Sequence, residues 1–209
     1  MTPEQIEALF TSADGAYAFA RWGRPIAPVV FGVDEATLEV VKGAIEAVVV
    51  LAGHRMAEID PELGANLMVF FIRDWDELAE TPNMDRLLGD PGPLVERLKV
   101  AGATQYRTFR FDAAGAIQAC FSFVRMDEKM HELPAETIAL VQMVQSILTW
   151  SEQAFSSESP LAIHPDSGAT VLRPEIAGII RAAYDPVLPA AAQDASHALR
   201  LFARMGNAR

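Results

Sequence analysis

Cysteine is almost absent from this chain of 209 residues: Cys120 stands alone, so no disulfide can form within it. That scarcity fits a reducing compartment. Positive charge is scarce too, with 17 Lys and Arg against 28 Asp and Glu and a net charge of −11. A field of that sign repels a nucleic-acid duplex or an anionic membrane surface unless a basic patch overcomes it. The densest basic stretch, residues 200–209, spaces its charges with apolar residues. No nucleic-acid partner is therefore expected. Long apolar runs are missing: residues 47–53 and 67–72 are the longest, far short of the ~20 residues that span a bilayer. The start, Met1-Thr2-Pro3-Glu4-Gln5, has neither a basic region nor an apolar signal core. The expectation is a cytoplasmic protein with no membrane partner.

Motifs for metals and cofactors are missing as well. The histidines are His54, His131, His164 and His197, and no two stand four apart. His131-Glu132 opens like the zinc signature His-Glu-x-x-His, but Ala135 holds the fifth position and Pro134 breaks the required helix. No phosphate-binding glycine loop, dinucleotide fingerprint, nucleophile elbow or calcium loop is present. Neither a metal nor a cofactor is expected.

What is present is a chain with 51% hydrophobic residues, of a size that buries roughly 70% of its unfolded surface. No repeat, low-complexity tract or change in composition divides it, so residues 1–209 are expected to form a single domain. Thr2, Pro3 and Gln5 read as a capped helix start, with the helix running over residues 3–12. A strand over 26–31 is followed by an amphipathic helix from its N-cap Asp34 to about Ala52, closed by Gly53. Residues 67–72 are continuously apolar, as in a strand buried on both faces. A loop over 81–93 leads to a helix over 94–101. Strands over 105–111 and 116–124 make a hairpin, with Gly115 in its turn. A long helix over 134–155 follows, then a polar loop over 156–170, a candidate flexible segment. A helix from Pro174 should stop at Tyr184-Asp185-Pro186, and a last helix covers 191–205. The order implies an α/β or α+β fold: a mixed sheet of about four strands flanked by helices.

Few side chains suggest chemistry. Asp74, Asp76 and Glu77 follow the central strand, where carboxylates can serve as acid, base or cation ligand, although capping the next helix also explains them. His54 sits beside a helix C-terminus, where a protonated imidazole is stabilised by the dipole. Cys120 shares a half-polar strand face with Gln118 and Ser122, and reads as a structural thiol. The long helix carries Gln142, Gln145 and Thr149 at i, i+3 and i+7, a neutral amide face on an otherwise apolar helix. Amides both donate and accept, which suits them to line a cleft that holds a peptide backbone.

Several stretches resemble an uncharacterised bacterial family, number 2927 in the domain-of-unknown-function series. They are Arg21-Trp22-Gly23-Arg24-Pro25-Ile26, Ala52-Gly53-His54, Ala65-Asn66-Leu67-Met68-Val69-Phe70-Phe71, Thr170-Val171-Leu172-Arg173-Pro174 and Arg181-Ala182-Ala183-Tyr184-Asp185-Pro186. The resemblance implies a Glu-x-x-Gln pattern on a helix. Gln142 stands here at the acid position and Gln145 at the glutamine. Members often carry export or lipoprotein signals; none is expected here from the Met1–Gln5 start. The order of a hairpin followed by a helix also looks zincin-like, without the zinc ligands. Three functions are expected in turn: a non-catalytic binding or interaction domain for a peptide or protein, a hydrolase using carboxylates near Asp74 or on the long helix, and a structural homodimer paired through the hairpin edge.

Overall fold

The computed structural model describes residues 1–206; residues 207–209, the end of the basic stretch, lie outside the described residues. The elements run α1 (Pro3–Ala8), β1 (Phe19–Ala20), β2 (Pro28–Phe31), α2 (Glu35–Leu51), β3 (Leu67–Ile72), α3 (Glu77–Glu80), α4 (Met84–Leu88) and α5 (Pro91–Val100). Then come β4 (Gln105–Phe111), β5 (Ile117–Arg125), α6 (Glu128–His131), α7 (Ala135–Ile147), β6 (Leu161–Ile163), β7 (Thr170–Leu172), α8 (Pro174–Ala183), β8 (Ala191–Ala192) and α9 (Ser196–Met205).

A mixed four-stranded sheet in the order β2-β3-β5-β4 forms the centre, with β2, β3 and β5 parallel and β4 antiparallel at one edge. This is the α+β arrangement expected from the element order. Alternation sends Leu67, Val69 and Phe71 of β3 towards α2 and α7, and Met68, Phe70 and Ile72 towards α3–α5. The apolar run at 67–72 is thus continuous because both faces are covered. On the α3–α5 side one aromatic per strand stacks across the sheet. The centroids of Phe31 and Phe70 lie 4.8 Å apart, those of Phe70 and Phe123 4.8 Å, and those of Phe123 and Tyr106 6.3 Å.

Local signals act as the sequence leads one to expect at several helix ends. Thr2 and Gln5 form the reciprocal capping box, and the Asp34 carboxylate accepts from the Thr37 amide at 2.7 Å. Gly115 takes φ +81° in the β4–β5 turn, a conformation that side chains disfavour. α8 ends at Ala183, one residue before the Tyr184-Asp185-Pro186 corner.

Other boundaries differ. α1 stops at Ala8, α4 and the first turn of α5 occupy the expected 81–93 loop, and β6 pairs with β7 across the expected polar loop. Residues 191–192 pair with β1, and α9 begins only at Ser196. The largest correction concerns the long helix. It ends at Ile147, and Leu148 is extended (φ −139°, ψ 161°) and bridges to Arg21. A helix leaves its last four carbonyls without intrahelical donors. Here three aromatic side chains serve three of the four: Trp150 Nε1 donates to the Val144 carbonyl at 2.7 Å, Trp22 Nε1 to Ser146 at 2.9 Å and Tyr184 Oη to Ile147 at 3.0 Å.

Candidate functional site

β4 is the outer strand of the sheet on the side where α7 ends. The amide of Arg125 on β5 donates to the Thr104 carbonyl, and the Cys120 amide turns the other way, to Asn66. Antiparallel pairing alternates inward and outward residues. The backbone groups of Gln105, Arg107 and Phe109 therefore point away from β5, off the edge of the sheet. Their side chains lie on the α7 face, because outward amides and side-chain direction share the same period of two.

These side chains meet α7 in a polar cluster. Gln142 is 4% exposed. Its Oε1 accepts from Arg107 Nη2 at 3.0 Å and from Ser122 Oγ at 2.9 Å, and its Nε2 donates to Gln105 Oε1 at 2.8 Å. Arg107 Nη2 also donates to Gln145 Oε1 at 2.7 Å, and Arg107 Nε to Ser146 Oγ at 3.2 Å. Every acceptor of this guanidinium is neutral. No carboxylate lies within ion-pair distance of it among the described residues. Burial pulls the Arg107 pKa below its ordinary value, yet an arginine stays cationic at any physiological pH.

A groove of about 410 Å³ opens beside this cluster, between Gln105, Arg107 and Phe109 of β4, Gln145 of α7, and Trp150 and Phe155 beyond the helix. Glu152 is the one carboxylate that lines it, and it is exposed. The three expected site residues thus separate. Gln145 lines the groove. Gln142 lies beneath it, bonded within the chain. Thr149 is not on the helix: its Oγ1 accepts from the Ala20 amide at 2.6 Å, and it lines a different cavity, of about 300 Å³, with Phe111 and Ala191. The expected i, i+7 face fails because the helix has already ended.

Arg107, Ser122, Ser146 and Gln105 were not singled out from the sequence. Ser146 follows Gln142 by four residues on the same helix face. Ser122 belongs to the half-polar strand face noted above, whose cover is α7. Arg107 gave no signal of its own, since a strand arginine usually faces water.

The remaining candidates take structural positions. Asp74 accepts from the Asp76 amide, Glu77 from the amides of Arg73 and Asp74, and Lys99 pairs with Asp76 at 2.5 Å. Asp74 and Glu77 thus hold the turn ahead of α3 and Asp76 is ion-paired, none of them as a side-chain cap of the helix. His54 Nε2 donates to the Arg24 carbonyl at 2.8 Å, and burial lowers its pKa. It is held as a neutral ring, not as the cation expected at a helix end. The Cys120 thiol is fully buried, and burial pushes it up to about 11, with Arg107 and Ser146 pulling weakly the other way. Among the described residues, no three His, Cys, Asp or Glu side chains group to hold a metal, and no helix is long and apolar enough to cross a membrane.

No family model, curated protein or solved structure matches the chain.

Proposed function

We propose that this chain is a non-catalytic binding domain that takes an extended peptide along the open edge of β4. One observation carries the reading: the outward backbone groups of Gln105, Arg107 and Phe109 border a groove whose wall contributes the Gln145 amide. Strand addition uses such an edge for main-chain hydrogen bonds and the flanking pocket for alternate side chains. An unpaired edge is otherwise an aggregation hazard that proteins cover or charge. A hairpin edge beside a helix is also how an inactive zincin-like domain, without zinc ligands, would present a bound segment. Of the carboxylates a hydrolase would use, Asp74 and Glu77 accept from backbone amides and Asp76 pairs with Lys99, all outside the groove.

Selection from a phage-displayed random peptide library, followed by calorimetry on the selected peptides, tests the reading. Gln145→Ala should weaken their binding by about 1 kcal/mol, the scale of one neutral hydrogen bond. Selected peptides that bind Gln145→Ala as tightly as the native chain would count against it. So would a concentration-dependent dimer that buries β4 and excludes them.

A further inference from the structure

We infer that the groove recognises a carboxylate of its peptide, held by Nη1 of Arg107; this rests on the peptide reading above and names what the peptide must carry. Arg107 Nε and Nη2 are spent on Ser146, Gln142 and Gln145. Both hydrogens of Nη1 have no acceptor among the described residues. Nη1 is also not among the sealed, unpartnered side-chain atoms, and its residue lines the groove. The guanidinium is therefore fixed through Nε and Nη2, while Nη1 has no partner and keeps some contact with solvent.

Three physical points favour an anion there. A cation held only by neutral acceptors keeps an unneutralised charge, and its field is least screened where water is partly excluded. Charge-assisted hydrogen bonds to a carboxylate are about twice as strong as neutral ones. Arg107 is also pre-oriented, because Gln142 is itself fixed by Ser122 and Gln105, so little side-chain freedom is lost on binding. The position of Arg107 on β4 sets the geometry. A strand added antiparallel to β4 places alternate side chains over the α7 face, so an acidic side chain opposite Arg107, or a chain end there, reaches Nη1 without bending the backbone. Glu152 is the competing charge. It is exposed, makes no ion pair with Arg107, and lines the same groove, so it disfavours an acidic ligand.

The test uses three pools of mixed-sequence decapeptides, all acetylated. The first contains Asp and Glu at random positions and is amidated. The second has Asn and Gln in their place and is amidated. The third is the second with a free C-terminal carboxylate. Each is titrated into the ¹⁵N-labelled native chain, and the backbone amides of Gln105, Arg107 and Phe109 and the Nε–H of Arg107 are followed. We expect a carboxylate-bearing pool to shift these signals at roughly tenfold lower concentration than the amide pool, the difference between a charged and a neutral hydrogen bond. The first pool or the third carries the effect according to whether a side chain or a chain end is the source. Glu152→Gln, an exposed change, should tighten the responding pool further. Equal titration by all three pools at these signals would overturn carboxylate recognition and leave peptide binding standing. If no pool moves them, both readings fall together.

Discussion

The two faces of the central sheet are built on opposite plans. The face under α3–α5 is dry: Met68, Phe70, Ile72, Phe121 and Phe123 pack on Trp75, Leu78, Val95 and Leu98, and the Trp75 indole finds the Ala103 carbonyl. The face under α2 and α7 contains Ser122, Gln142 and Ser146 buried beside Cys120, with Arg107 entering from the edge. Interior polar groups gain little over well-packed apolar ones even when every partner is present. The dry face therefore accounts for stability in the ordinary way. The second face carries polarity that stability does not require, and it does so where the sheet edge and the groove meet. That contrast is what separates a candidate site from core.

Three measurements can break or sharpen it. The largest effect belongs to the dry face. Phe123 is fully buried at the centre of the aromatic stack, and Phe123→Ala should cost about 3–5 kcal/mol in urea unfolding. A loss below about 1 kcal/mol would mean that the layer collapses freely and is not the stable half.

The next concerns a polar group on the α2/α7 side. His197 is 2% exposed, lies 3.0 Å from Tyr17 Oη through Nδ1, and has no partner for Nε2. Burial, with Arg200 nearby, lowers its pKa to about 4. The unfolded chain takes up this proton near pH 6.5 and the folded chain only near 4, so the contribution is complete above 6.5 and is lost as pH falls from there to about 4. The loss is on the order of 3 kcal/mol. Stability against pH should therefore fall more steeply over that window in the native chain than in His197→Gln. Parallel curves would show that the ring is already charged or hydrated.

The smallest effect probes the cluster. Gln142→Ala takes one acceptor from Arg107, the acceptor of Ser122 and the donor to Gln105 and should cost about 2 kcal/mol, while Gln145→Ala, at the groove wall, should cost less. If the two were equal, Gln145 would be as structural as Gln142, and the division between floor and wall would dissolve.

Much of the architecture was legible because its causes are local. The uninterrupted run Leu67–Ile72 announces a two-sided strand, Asp34 announces a helix start, and Pro186 a helix stop. The end of α7 had no such cause. Nothing in Leu148-Thr149-Trp150 opposes a helix. It ends where Trp22 and Tyr184, distant in sequence by 124 and 37 residues, capture its carbonyls, and where Thr149 exchanges hydrogen bonds with Ala20. The site was half legible for the same reason. The glutamines stood out as an uncharged stripe, but the arginine that organises them arrives from another element through the sheet register, and only one of the two glutamines reaches the groove.

The arrangement of tryptophans gives the molecule an optical property. Trp22 and Trp75 are sealed, at 0% and 1% exposure. Trp150 is half-buried, stacks on Phe10 with centroids 5.1 Å apart, and lines the groove while its indole holds the end of α7. Two of the three emitters are thus a constant background, and the third lines the groove proposed to take the peptide. Occupancy of the groove should be readable, without any label, as a shift in the emission of Trp150 alone.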